Sequence, residues 1–225
     1  MPRPVANFLL LLAGLAWGMG FVAQQSAMTD VGPMLFIALR FTLAAVVVLP
    51  FALYEGRPME NGGDPRPFNL REWLRVVLLG TVFFFGMAFQ QVGLLNTSVT
   101  NAGMLTGLYV ILVPILILIV WREWQHPVVW PAAAASVLGI WLLGGSIDGL
   151  TWGDGLIMVC AFCWACHVIL MGKTAQSIGR PVRIATAQFA VCGTLGLAGH
   201  AIGLLARLDA EPAVALSSLA NAAPE

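Results

Sequence analysis

The chain has 225 residues, of which 59% are hydrophobic and 10% charged, and its formal net charge is zero. Soluble domains carry about 25% charged residues, so a water-facing globule is excluded, and a zero net charge predicts no nucleic-acid partner. The charges lie in clusters between long apolar runs, as in a chain that threads a bilayer several times.

Residues 4–29 are uncharged and predict a first span over 5–24. Arg3 ahead of Phe8–Leu12 resembles the start of a signal peptide. The apolar run continues through Trp17 and Phe21, however, and further spans follow, so the segment reads as a retained helix. Residues 31–54 hold one charge, Arg40, and predict a second span over 34–53. The Pro-, Gly- and Asn-rich stretch Glu55–Leu70 reads as a flexible loop. Residues 76–121 contain no charge over 46 positions. At helical rise that is roughly 69 Å, enough to cross a ~30 Å hydrocarbon core twice. The polar run Asn96–Asn101 divides it into spans over 76–94 and 101–121, the second expected to kink at Pro114. Further spans are predicted over 127–145, 154–172 and 184–206, with Asp154 capping the start of the sixth. Backbone polar groups in lipid must be satisfied within their own segment, so these seven spans are helices, and no alternating barrel strands appear. The expected fold is all-α, a polytopic transmembrane helix bundle. Gly14 with Gly18, and Gly199 with Gly203, form small-residue pairs expected to pack helices closely.

Arg3, Arg57, Arg66, Arg71, Arg75, Arg122, Lys173, Arg180 and Arg183 fall on one side if the spans alternate, and Arg207 falls on the other. The positive-inside rule then places the N-terminus in the cytoplasm and the tail after the seventh span outside.

The chain also carries an internal echo. Ala16-Trp17-Gly18 with Phe21 is matched by Cys163-Trp164-Ala165 with Val168, at an offset of 147 residues. Pro33 with Arg40-Phe41 is matched by Pro181 with Gln188-Phe189, at an offset of 148. Five spans separate the two starts. Five is odd, so the second copy enters from the opposite side, which is the inverted repeat found in many secondary transporters. The expected division is a first five-helix repeat over 1–147 and a partial second repeat over 148–225.

Several of these features together resemble a known family. Leu15-Ala16-Trp17-Gly18 with Phe21, Gly32-Pro33 leading to Arg40-Phe41, Gln90-Gln91-Val92-Gly93-Leu94, Thr97-Ser98 with Asn101-Ala102-Gly103, Pro114, Arg122-Glu123 and Gly153-Asp154 follow in order. Their order and spacing are similar to the EamA-like permeases of the drug/metabolite transporter superfamily. That resemblance implies ten spans in two five-span repeats and movement of a small organic metabolite, such as an amino acid, across a bacterial inner membrane. The second copy here holds two spans before Glu225. The expectation is therefore a chain that continues in a longer protein, or one that needs a complementing chain or a second copy of itself. A truncated, non-transporting scaffold is the competing reading.

The polar and aromatic residues within the spans are the candidate site. Arg40 is the one full charge well inside a span. It could anchor an anionic or zwitterionic solute, or instead snorkel and lock packing. Gln90, Asn101, Tyr109, His167 and Gln188 could hydrogen-bond a solute or serve as interhelical glue. Trp17, Phe21 and Trp164 could hold its apolar part. The run Cys160, Cys163, Cys166 has metal-like spacing but lies within an apolar helix, where cysteine serves as a small apolar residue. No metal or cofactor is expected. His167 could pass a proton, and a proton or other ion is the expected coupling partner, because no phosphate-binding loop motif is present. The motifs H-E-x-x-H and G-x-S-x-G are absent, and no carboxylate pair lies within the spans, so no enzyme activity is expected.

Overall fold

The structure is a computed structural model that describes residues 3–28, 31–55, 67–144 and 150–221. All the regular structure there is helical: α1 (Arg3–Ala27), α2 (Pro33–Glu55), α3 (Leu70–Leu94), α4 (Val99–Thr106), α5 (Tyr109–Trp121), α6 (Val129–Gly144), α7 (Trp152–Ile178) and α8 (Pro181–Asn221). Six segments are long and apolar enough to cross a membrane: α1, α2, α3, α4 with α5, α7, and α8 as far as Ala206. The segment expected over 127–145 is the shorter helix α6, 16 residues, or roughly 24 Å at helical rise.

Local chemistry sets the helix starts. α3 begins six residues before the uncharged run, because Asn69 caps it. The Asn69 side chain accepts from the Glu72 amide at 2.9 Å, and the Glu72 carboxylate accepts from the Asn69 amide at 2.8 Å. α7 starts with the same box, built from Thr151 and Asp154. It ends at Gly179, whose φ of +70° is one a side chain would resist. At α8 the cap comes from another helix. Glu55, at the end of α2, accepts from the amides of Val182 at 3.2 Å and Arg183 at 2.8 Å. These are free first-turn donors, and the carboxylate also meets the positive end of the α8 dipole.

The expected fourth helix is interrupted. α4 ends at Thr106 and α5 begins at Tyr109, with Gly107 and Leu108 forming the turn between them. Leu108 donates to the Leu105 carbonyl and Val110 to that of Gly107, so the ladder tightens to i→i−3 across the junction. The break lies N-terminal to Pro114, at a glycine that costs a helix about 1 kcal/mol relative to alanine. Asn101 and Leu105 therefore belong to one helix and Tyr109 to the next.

α3 occupies the centre, half buried, with α7 and α8 against it, and α2 lies along α8. Three apolar clusters follow one another along the bundle. One, at the end that holds the α3 C-terminus, joins Phe21, Met28, Leu94, Ala102 and Ile157. The middle one joins Ile37, Phe41, Phe83, Met87, Cys160, Trp164 and Cys192. The third, at the end rich in basic residues, joins Val76, Leu79, Ile178 and Ile184.

The close helix contacts differ from those expected. A Cβ at Gly14, Gly18 or Gly203 would meet nothing within 4 Å, and one at Gly199 would touch the Met34 side chain at 3.2 Å. The α2–α8 approach runs instead through Gly193 and Gly196, where a Cβ would sit 3.0 Å from the Thr42 amide nitrogen and 2.8 Å from that of Ala38.

Candidate functional site

Between α1, α2, α3, α7 and α8 the helices leave an open cavity of about 520 Å³. α1 contributes Ala13, Ala16, Trp17, Gly20 and Gln24. α2 contributes Arg40 and Phe41, α3 Phe83 and Met87, α7 Trp164, and α8 Gln188 and Phe189. Small residues on α1 make room, and large rings from the other helices form the wall. Phe83 is the hub: its ring meets Phe41 edge-on at 4.9 Å, Trp164 at 5.4 Å and Phe189 at 6.0 Å. Trp17 crosses from α1 to Trp164 at 5.0 Å. Such pairs prefer tilted or edge-to-face geometry, which gives the wall a set shape.

The polar groups are few and mostly engaged. Gln24 Nε2 donates to the Gly20 carbonyl at 2.9 Å, which makes its other terminus the oxygen, and that oxygen accepts from Gln91 Nε2. Gln188 Oε1 lies 3.0 Å from His167 Nε2. A carbonyl oxygen only accepts, so Nε2 is the nitrogen that carries the proton. Arg40 is the one charged residue of the lining, with its guanidinium carbon 5.4 Å from the Phe41 ring centre. Among the described residues no carboxylate is paired with Arg40.

A second crevice of about 570 Å³ lies on the other side of α1, facing α4 and α5. Trp17, Phe21 and Tyr109 line it with Gly14, Gly18, Gly103 and Gly107. Trp17 and Ala13 border both spaces, so α1 is the partition between them.

Trp17, Arg40, Trp164 and Gln188 thus come together in the central cavity, while Phe21 and Tyr109 line the crevice. His167 stands behind the cavity wall, buried, with its ring 5.0 Å from Phe83 and perpendicular to Trp164 at 5.6 Å. Gln90 is 2% exposed and outside both spaces, and its Nε2 is buried without a hydrogen-bond partner. Asn101 lies at the end of the bundle, where its side chain donates to Asp154 at 3.5 Å. Sequence reasoning missed Gln24, Phe41, Phe83, Met87 and Phe189. Phe41 and Phe189 were within reach of it, since each follows a residue of the aligned repeat positions Arg40 and Gln188.

An apolar, ring-walled space with one charge in its lining, bordered by helices long enough to span a bilayer, marks a multi-pass membrane protein. Comparison with known sequences agrees: residues 4–145 match the EamA-like transporter family, and the chain belongs to that family. A curated relative, an uncharacterized transporter of Archaeoglobus fulgidus, is 28% identical over 183 residues, covering 81% of this chain and 54% of that protein. The chain thus spans about half the length of the curated relative it matches. No solved structure matches the chain.

Proposed function

We propose that the chain forms the greater part of a permease that moves a small organic metabolite, an amino acid or a related solute, across the cell membrane by alternating access. The observation that carries this is the central cavity. It has amino-acid-sized room, lies among spanning helices, and holds a single charge, Arg40, at its wall. Arg40 is the eighth of the 23 residues of α2, within the span rather than at its end, and charges kept inside a span mark solute and ion paths. Both ends of the bundle are tied by bonds that a conformational change can exchange. At one end Gln91 is bonded to Gln24, and Thr97 to Asp154. At the other Glu55 holds α8, and Arg75 donates to Ser177 at 2.7 Å. The inverted repeat supplies the symmetry for such an exchange. The N-terminus is assigned to the cytoplasm of a bacterial cell, and coupling to a proton or another ion.

One observation favours a complementing segment, from a longer protein or from another chain. α1 packs chiefly on α4, and its consecutive residues Phe8–Leu12 are all exposed, so most of its circumference is bare. α7, its counterpart in the repeat, lies flush against α3. By the repeat symmetry, α1 is the surface for the second copy's own third helix.

The test is flux in proteoliposomes together with thermal stabilisation by a panel of metabolites, made on this chain and on a version extended to ten spans. Saturable flux of at least one solute that also stabilises the protein is expected, at least in the longer version. No flux and no stabilisation in either version would leave the scaffold reading standing.

A further inference from the structure

Resting on the permease reading, we infer that the solute of the central cavity is an aromatic monocarboxylate without an ammonium group: an aromatic organic acid, distinct from the corresponding amino acid or amine. The argument is an inventory of donors and acceptors. Arg40 brings five N–H donors and a positive charge to the wall, and the lining residues include no carboxylate. The two side-chain carbonyl oxygens at the wall each already accept a hydrogen bond, that of Gln24 from Gln91 and that of Gln188 from His167. The wall is therefore rich in donors and poor in acceptors. A carboxylate finds a forked, charge-assisted partner there. An ammonium would have only the second lone pairs of those two amide oxygens to meet and would lie in the field of Arg40.

Ring faces can also hold a cation, but the one face left free, that of Trp17, borders the same cavity as the Arg40 charge, which would repel it. Phe41 lies beneath the Arg40 guanidinium, and Phe83 and Trp164 are packed against one another at 5.4 Å. Trp17 is 46% exposed and borders the cavity, which leaves apolar ring surface on which a flat solute can lie. Arg40 at one place and Trp17 at another thus select a molecule with an anionic head and a planar body.

The test uses four probes with the purified full chain in detergent, read by titration calorimetry: indole-3-acetate, tryptophan, tryptamine and hexanoate. The first three share a ring and differ in charge, and the fourth is an anion without a ring. Indole-3-acetate is expected to bind about tenfold or more tightly than the other three, the span of one charge-assisted hydrogen bond. Its binding should fall by a similar factor in Arg40→Gln and be largely kept in Arg40→Lys. The charge series on the unaltered protein stands even if Arg40→Gln does not fold. Tryptophan or tryptamine binding as well as indole-3-acetate would overturn the inference, as would hexanoate matching it. If none of the four binds while another metabolite is bound and moved, the inference fails and the permease reading survives. If nothing is bound or moved in any version, both fail.

Discussion

Arg40 and Asp154 are both ionisable residues within helices that span the bundle, and their surroundings could hardly differ more. Asp154 is fully buried and saturated with donors: the Thr151 amide at 2.8 Å, the Thr151 and Thr97 hydroxyls and the Asn101 amide. It closes a capping box and ties the start of α7 to the turn between α3 and α4. Among the described residues Arg40 has no carboxylate beside it, and it borders a cavity. The first arrangement is a joint, and the second is the charge on which the proposed solute site depends. Replacing Asp154 by alanine removes the cap and the acceptor used by the half-buried Thr97 hydroxyl and the exposed Thr151 hydroxyl. A loss of about 1–3 kcal/mol is expected, seen as a lower melting temperature in detergent, with Asp154→Asn falling less far. An unchanged melting temperature for the alanine variant would remove its structural role. The sequence pointed to Asp154 as the cap at the start of this helix; in the structure the N-cap is Thr151, and Asp154 closes the box from the third helical position. The tie to Thr97, 57 residues away, was not legible in the sequence, because periodicity carries no information about which helices meet.

At the scale of elements, glycine decides where helices approach. Gly193 and Gly196 of α8 face α2 so closely that a Cβ on Gly196 would lie 2.8 Å from the Ala38 amide nitrogen and 3.1 Å from its Cα. Backbone cannot yield as the end of a side chain can, so Gly196→Ala should push α2 off α8 at a cost of about 1–3 kcal/mol. Gly203→Ala, with nothing within 4 Å, should be neutral. Equal thermal stability of the two variants would mean that the α2–α8 contact is looser than described. The sequence pattern pointed to Gly14, Gly18, Gly199 and Gly203 because the small-xxx-small motif records spacing alone, whereas Gly193 and Gly196 are three apart. The break between α4 and α5 was hidden for a related reason. Pro114 announced a disturbance, but the weak point in that helix was Gly107, where the bonding changed register. Six of the seven expected spans are long and apolar enough to cross a bilayer among the described residues, and the one expected over 127–145 is the shorter helix α6.

For the whole molecule, the contacts show which ends belong together. Lys173 lies 3.4 Å over the Trp121 ring, Arg75 reaches Ser177, and Arg180 and Arg183 lie near Phe68, so these basic residues share one end. If that end faces the cytoplasm, single cysteines at Gly62 and Ser177, in a cysteine-free background, should be labelled from inside only. Those at Ser98 and Gly149 should be labelled from outside only, and labelling of Ser98 from the cytoplasm in sealed cells would invert the assignment. The expected repeat rests on two short matches, Trp17 with Trp164 and Arg40-Phe41 with Gln188-Phe189. The cavity was readable only in part, because its wall draws on five helices and its lining residues Phe83 and Met87 lie on a helix face that nothing in the local pattern sets apart.

The central claim is that solute passes through the space between α1, α2, α3, α7 and α8. Ala16 lines that space, whereas Leu43 is an exposed residue of α2 outside it. The measurement is saturable solute flux in proteoliposomes, made on Ala16→Trp and Leu43→Trp in whichever length of the protein shows transport. An indole at Ala16 fills much of the cavity, so flux should be abolished with folded yield unchanged, while Leu43→Trp should transport as the unaltered protein does. Undiminished flux through folded Ala16→Trp would contradict the account, for it would place the path elsewhere in the molecule.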